Sequence, residues 1–161
     1  MANEQLFIKM GLEGWNSYLK RTGDLFNSLT DKQLAQETAP GKNTGAYLLG
    51  HLTAVHDRMI ELMFLGERLY PELDDAYLKN PESAGLAKTD ILTLRQYWNT
   101  LNETLANYFA AMQPEDWFAR HSAVSEEDFA QGPHRNRLNL VMNRTSHIAW
   151  HYGQVLYLKG K

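Results

Sequence analysis

Two histidines near the carboxyl end of the chain, His147 and His151, have a spacing suited to chemistry at a metal ion. Residues i and i+4 of an α-helix share one face, with Cβ atoms about 5–6 Å apart, so both rings can reach one ion. A catalytic zinc usually takes three protein ligands, and we expect the third to be His51, in another strongly helical segment. The motif is not that of the zinc proteases, because Ile148 stands where their general base, a glutamate, follows the first histidine.

Polar and aromatic residues around the pair predict a wet cavity between helices. Asn143 precedes His147 by four residues and Gln154 follows His151 by three, so both are predicted on the histidine face as cavity lining. Trp150 is predicted to form a wall of the same cavity. The alternative is a pair of packing histidines that bind nothing.

The other histidines and the acidic residues are predicted to lie outside this site. His56 follows His51 by five residues, about 140° round a helix, and is predicted at the surface or behind the ligands. His121 and His134 are predicted to be solvated in loops. No acidic residue shares the histidine face, so no general base for hydrolysis is identified. Four acidic residues are predicted to be solvated helix charges: Asp57, Glu61, Glu67 and Glu103.

Four segments with helical periodicity must position these histidines, and no segment alternates with the period of a strand. We predict an all-α fold, a four-helix bundle with long crossover connections, in one domain over residues 1–161. A weak internal repeat of two helix pairs would bring the second and fourth helices together, and with them the three histidines. The predicted helices span residues 3–28, 45–65, 90–112 and 135–159.

Capping signals set the predicted ends of the middle helices. The second helix is predicted to begin after an N-cap at Asn43 or Thr44 and to end at Leu65, with Gly66 as its C-cap. The third is predicted to begin at Thr89 or Asp90.

The composition excludes several classes of function. A net charge of −3 and a pI near 6.1 give no electrostatic basis for binding nucleic acid or an anionic membrane. The absence of cysteine excludes disulfides and thiolate chemistry by the protein itself. The first nine residues lack the features of a signal peptide, and no apolar run reaches the ~18 residues of a membrane span, so we expect a cytoplasmic protein.

Three stretches resemble the DinB-like (DinB/YfiT) family. They are Pro40-Gly-Lys-Asn-Thr44, Leu48-Leu-Gly-His51 and Ser146-His-Ile-Ala-Trp-His-Tyr-Gly-Gln154. The resemblance implies a bacterial four-helix bundle in which three histidines hold a metal, and the matching positions are again His51, His147 and His151. Many relatives have arginine directly after the last ligand, where this chain has Tyr152.

The family resemblance implies several functions. Some relatives are thiol-dependent transferases or isomerases, and others are described as metal-dependent hydrolases. We therefore expect a divalent transition metal, with Zn and Ni preferred, a small-molecule substrate, and a low-molecular-weight thiol as a further cofactor. The alternative is a non-catalytic stress-response protein that binds a metal or small ligand. The resemblance also implies a homodimer.

Overall fold

A computed structural model describes residues 2–161, and in this range the fold is all-α, as predicted. The only β-type contacts among these residues are two isolated bridges, Glu37 with Thr44 and Arg120 with Asn136. No helix in the described range is long and apolar enough to cross a membrane. Four long helices form the bundle: α1 (Ala2–Ser28), α3 (Gly45–Leu62), α4 (Ile91–Ala111) and α7 (Arg137–Leu156). The connections contain three short α-helices: α2 (Asp31–Leu34), α5 (Pro114–Phe118) and α6 (Glu126–Gln131).

Helices α1 and α7 pack side by side and run in the same direction. Gly11 lies against Leu138, and Tyr18 meets Tyr152 edge-on with ring centroids 6.3 Å apart, so contacting positions rise together along both helices. A Cβ at position 11 would lie 2.9 Å from Cδ1 of Leu138, so the glycine permits this close approach.

Helix α3 runs antiparallel to α7, which is the pairing that the candidate site requires. Gly45, at the start of α3, packs against Leu158, whereas His51 lies beside His147 earlier along the chain. The second and fourth long helices therefore adjoin, and residues far apart in sequence share one groove.

Helix α4 runs antiparallel to α1 and hence parallel to α3. Trp15 lies near Phe109, whereas Phe26 meets Trp98 edge-on at 5.7 Å. Because α3 and α4 run in the same direction, residues 63–90 must cross the length of the bundle. This crossover contains two 3₁₀ turns (Pro71–Leu73 and Glu82–Ala84) and a π-helical segment (Asp75–Lys79).

Side-chain caps fix where α3 and α4 begin. The Thr44 hydroxyl accepts from the amide of Tyr47, and Asp90 accepts from the amide of Thr93. Thr44 in turn donates its own amide and hydroxyl to Glu82 of the crossover, at 2.7 and 2.8 Å. The cap therefore also ties the crossover to the start of α3.

The end of α3 differs from the prediction. The helix ends at Leu62 with Met63 as its C-cap, and Gly66 lies beyond it in a loop. The Leu62 carbonyl accepts from the amide of Ser122 at 2.9 Å, and Phe64 takes a left-handed φ of 56° as the chain turns away. The pairing with a distant loop stops the helix before the glycine is reached.

The ends of α7 also lie inside the predicted span. The helix starts at Arg137 because the Asn136 side chain accepts from the amide of Asn139 and caps it. It ends at Leu156, and a 3₁₀ turn, Tyr157–Gly160, follows.

Asp57 is buried, so the prediction of a solvated helix charge was wrong for this residue. Its carboxylate has no exposed surface and accepts from Arg68 Nε at 2.9 Å. It also accepts from the amides of Leu69 and Tyr70, at 2.8 and 3.2 Å. The charge is paired and fully hydrogen-bonded, as a buried carboxylate must be, and it anchors the start of the crossover to α3. Glu61, Glu67 and Glu103 are exposed, as predicted.

Candidate metal centre

Three imidazole rings converge in the groove between α3 and α7. Nε2 of His147 lies 3.2 Å from Nε2 of His51 and 3.1 Å from Nε2 of His151. The potential ligand atoms of the three residues all lie within 4.8 Å of one another. The three rings are half-buried, so the cluster is sheltered but still partly exposed to solvent.

The spacing of these nitrogens suits one transition-metal ion. With metal–nitrogen bonds of 2.0–2.1 Å, ligand nitrogens are about 3.3–3.4 Å apart at tetrahedral angles and about 2.9 Å apart at right angles. The observed 3.1 and 3.2 Å fall between these values. The same arrangement can therefore serve a four-coordinate or a more highly coordinated ion.

A backbone carbonyl fixes the tautomer of His51. Its Nδ1 lies 2.8 Å from the carbonyl oxygen of Tyr77, which can only accept, so Nδ1 carries the proton and Nε2 presents a lone pair to the cluster. Tyr77 belongs to the π-helical segment of the crossover. Hydrogen bonds of this kind commonly orient metal-ligating histidines.

Gly50 allows Tyr77 to reach this position. A Cβ on Gly50 would lie 2.6 Å from Cζ of the Tyr77 ring and closer still to two other ring carbons. Tyr77 is buried, and its hydroxyl accepts from the amide of Thr89 at 3.1 Å, so the ring is held at both ends. Gly50 therefore allows the Tyr77 carbonyl to lie where it orients the His51 ring.

A side-chain amide fixes the tautomer of His151. Nδ1 of His151 lies 2.7 Å from Oε1 of Gln154, one turn further along α7. Nδ1 therefore donates, and Nε2 again presents a lone pair to the cluster. Gln154, predicted as cavity lining, contacts a candidate ligand directly.

The hydrogen bonding of His147 also indicates that the cluster fits a cation. Its Nδ1 is buried and has no hydrogen-bond partner in the described structure. Without an ion, one neutral ring faces the lone pairs of His51 and His151 and can donate to at most one of them in full. A divalent ion would bind all three Nε2 lone pairs at once. The donor set of three imidazoles suits Zn, Ni, Cu or Fe.

The three rings are neutral at pH 7, as metal ligands must be. Burial lowers the pKa of His147 to about 4, and the charges of His151, His51 and Arg144 add to this effect. Burial also lowers the pKa of His51 and of His151, against the opposing effects of their hydrogen bonds to Tyr77 and Gln154. Proton competition should therefore begin below the ~6.5 of a free imidazole.

The structure does not bring Asn143 or Trp150 into the site. Asn143 is exposed, and the Trp150 ring is 68% exposed. The inward stripe of α7 is instead Arg144, His147 and His151, spaced i, i+3 and i+7. The positions three and four residues before His147 both flank its stripe, and the structure buries the first of them, Arg144, rather than Asn143.

The remaining histidines have three different environments. His56 has no exposed surface, so a surface position is wrong; its Nδ1 lies 3.0 Å from Oδ1 of Asn102. His121 is half-buried and its Nδ1 has no partner, so it is not the solvated residue that was predicted. His134 is exposed, as predicted.

Two further features concern the residues in and beside the cluster. No carboxylate belongs to the metal-capable cluster among residues 2–161. Tyr152 packs its ring against Tyr18 of α1, so this side chain helps to hold α7 to α1.

Comparison with known proteins identifies the family. A model of the DinB superfamily matches residues 17–155, a span that includes all three histidines. No curated protein matches the chain. The family match covers most of the chain, and the fold is the helical bundle described above. The chain therefore belongs to the DinB superfamily.

Proposed function

We propose that His51, His147 and His151 hold a divalent transition metal, with Zn and Ni preferred, and that the site activates a small-molecule thiol for transfer to an electrophile. The observation that carries this proposal is the tautomeric state of the cluster. Tyr77 and Gln154 turn the lone pairs of His51 and His151 towards the Nε2 of His147.

The chemistry uses a sulfur that the chain itself lacks. A bound metal would lower the pKa of a thiol or water molecule at the site. The thiol gives its proton to solvent, the sulfur electron pair forms a bond to an electrophilic carbon, and the leaving group departs with the electrons of the broken bond. The protein holds His51 and His151 in one tautomer, and because the cluster is half-exposed we expect both reactants to reach it. The cysteine-free sequence means that the thiol comes from a small molecule.

Hydrolysis has less support because it needs a general base beside the attacking water. Two of the three rings, those of His51 and His151, are oriented by a carbonyl and an amide, and the cluster includes no carboxylate among the described residues. The same observation favours a non-catalytic metal- or ligand-binding protein as the second candidate.

Metal analysis and turnover test the proposal together. Untagged protein should contain about one equivalent of Zn or Ni. The metal-loaded protein should accelerate the reaction of a thiol with 1-chloro-2,4-dinitrobenzene, in which the new carbon–sulfur bond replaces the carbon–chlorine bond. The acceleration should be absent in His51→Ala and unchanged in His134→Ala, since His134 is exposed. Stoichiometric metal without turnover, across a panel of thiols and electrophiles, would favour the non-catalytic candidate.

We also propose that the protein acts as a homodimer. Large apolar side chains are exposed on the adjoining helices α1 and α7, and an isologous contact would cover them. Sedimentation should give the mass of two chains at micromolar concentration, and a single-chain mass would refute the dimer. The exposed side chains include Leu6, Phe7, Met10, Met142 and Trp150.

A further inference from the structure

Arg144 is a half-buried cation with no counter-ion among residues 2–161. Its Nε is fully buried and has no hydrogen-bond partner, and no ion pair among residues 2–161 includes its guanidinium. An unpaired charge that is removed from water destabilises the fold, and buried charges are normally paired. Burial lowers the pKa of Arg144, and the charge of Arg58 lowers it further. The fold therefore keeps this arginine in a place where it lacks a partner.

Three buried histidine nitrogens without a partner lie within electrostatic range of the same residue. Five buried side-chain atoms in the described part of the chain have no partner, and four of them are nitrogens of basic residues: His56 Nε2, His121 Nδ1, Arg144 Nε and His147 Nδ1. After burial, the charge of Arg144 is one of the causes that lower the pKa of each of the three histidines, so all four residues lie in one neighbourhood. Such a concentration of unsatisfied groups needs an explanation.

The missing partner is an acceptor. Arg144 Nε carries a hydrogen, and His147 Nδ1 carries one whenever Nε2 binds a metal. His56 Nε2 differs, because Nδ1 donates to Asn102 and leaves a lone pair on Nε2. Two buried donors on one stripe of α7, Arg144 Nε and His147 Nδ1, therefore lack an acceptor such as an oxygen atom.

The charges near Arg144 also favour the binding of an anion. Arg58 lies on α3 two turns beyond His51 and is exposed. None of the arginine ion pairs within the described range includes it. It lies near Asp74, but both oxygens of that carboxylate bind Arg68. Asp57, the neighbour of Arg58, is likewise bound to Arg68. The groove is therefore locally cationic although the whole chain carries a net charge of −3.

We propose that Arg144, with Arg58 at the rim, binds the anionic group of the small molecule whose reacting group lies at the three histidines. This inference rests on the proposed function. Arg144 lies one turn from His147 and two turns from His151, so the anion and the reacting atom should be about 5–10 Å apart. A carboxylate, sulfonate or phosphate suits a guanidinium, which can donate two parallel hydrogen bonds to it. The preferred thiol or electrophile is therefore an anionic one.

Two thiols that differ in charge test the proposal on full-length protein loaded with Co²⁺. Titration of the thiolate-to-cobalt absorption should show that 2-mercaptoethanesulfonate binds wild type at least ~10-fold more tightly than neutral 2-mercaptoethanol, about 1.4 kcal/mol. Arg144→Met should remove this preference and still bind Co²⁺ and the neutral thiol. The matched control is Arg21→Met, an exposed arginine on α1, which should keep the preference. Equal binding of both thiols to wild type would overturn the anion site and leave the thiol function standing.

A second measurement separates this inference from the proposed function. Inorganic phosphate should raise the melting temperature of metal-free wild type, and the rise should be lost in Arg144→Met. If neither thiol changes the cobalt spectrum while phosphate still stabilises through Arg144, the thiol function fails and the anion site stands. If Arg144→Met does not fold, Arg58→Met serves in its place, because its side chain is exposed, and it should reduce both effects. An Arg58→Met protein with unchanged thiol preference and phosphate response would contradict the proposal.

Discussion

His51 and His56 lie on the same helix, five residues apart, and the fold uses them in opposite ways. His51 faces α7 and the crossover, and its Nε2 lies 3.2 Å from another imidazole nitrogen. His56 faces α4 and α1, where its ring lies 4.8 Å from the Trp15 ring and 5.1 Å from the Trp98 ring. Both have Nδ1 bound to an oxygen, from Tyr77 in one case and from Asn102 in the other.

The difference shows that the free nitrogen decides the role of a buried histidine. The free nitrogen of His51 faces Nε2 of His147, which also faces the lone pair of His151. Because this cluster is half-exposed, an ion can enter it. The free nitrogen of His56 meets indole rings and has no exposed surface. Burial and a fixed tautomer are common to both sites. The convergence of ring nitrogens and the access from solvent distinguish His51, the candidate ligand, from His56, the core residue.

Removal of a candidate ligand should give the largest effect. We expect His51→Ala to weaken metal binding by more than ~100-fold, above the 10–100-fold typical of losing a residue that only orients a ligand. The fold should persist, because a core of this size does not depend on a metal. Competition titration with a chromophoric chelator measures the affinity.

His56→Gln is the matched control for this experiment. It alters a buried histidine of the same helix that lies outside the cluster, and a glutamine can still donate to Asn102. Metal affinity should stay within a few-fold of wild type. If His51→Ala binds metal as tightly as wild type, or His56→Gln loses binding to the same degree, the distinction between the two residues is wrong.

A substitution at Gly50 should have a smaller effect on the same site. Gly50→Ala must displace the Tyr77 ring and with it the carbonyl that orients His51. We expect metal affinity to fall by about 10–100-fold. Overpacking should also lower the free energy of unfolding by about 1–3 kcal/mol. Chelator competition and urea unfolding measure the two effects, and Gly153→Ala, where a Cβ meets nothing within 4 Å, is the control.

The convergence of the three histidines could be predicted because two regular patterns specify it. The i, i+4 spacing places His147 and His151 on one face, and the pairing of the second and fourth long helices brings His51 to them. The N-caps at Thr44 and Asp90 were likewise predictable, since an N-cap depends on residues close in sequence. Metal binding itself stays a prediction.

The rest of the site depends on contacts that no local pattern records. Positions three and four residues before His147 lie on either side of the helix stripe, and only the packing of α7 against α3 selects Arg144 over Asn143. The carbonyl that orients His51 comes from Tyr77 in the crossover, which shows no sequence period. Asp57 is buried because Arg68 and two backbone amides of the crossover bind its carboxylate. The path of the crossover cannot be predicted from the sequence pattern of α3.

The smallest effect we expect is a change in how stability depends on pH. His56 lies wholly within the core, and burial lowers its pKa to about 3, while the hydrogen bond to Asn102 opposes the shift. In the unfolded chain its pKa is near 6.5. Between these two values the unfolded state binds a proton that the folded state does not, so stability rises with pH. The stabilisation is complete above about pH 6.5 and declines as pH falls towards 3.

Comparison of wild type with His56→Gln isolates this contribution, because the lowered pKa values of the other buried histidines act in both proteins. Urea unfolding without metal should show the advantage of wild type over the variant falling by about 1.4 kcal/mol per pH unit between pH 5.5 and 4.5. Between pH 7.5 and 8.5 the difference should be constant. His134→Gln, at an exposed position, should leave the pH dependence unchanged. A difference between wild type and His56→Gln that is the same at every pH would mean that His56 takes up its proton equally in both states, and the core environment assigned to it would be wrong.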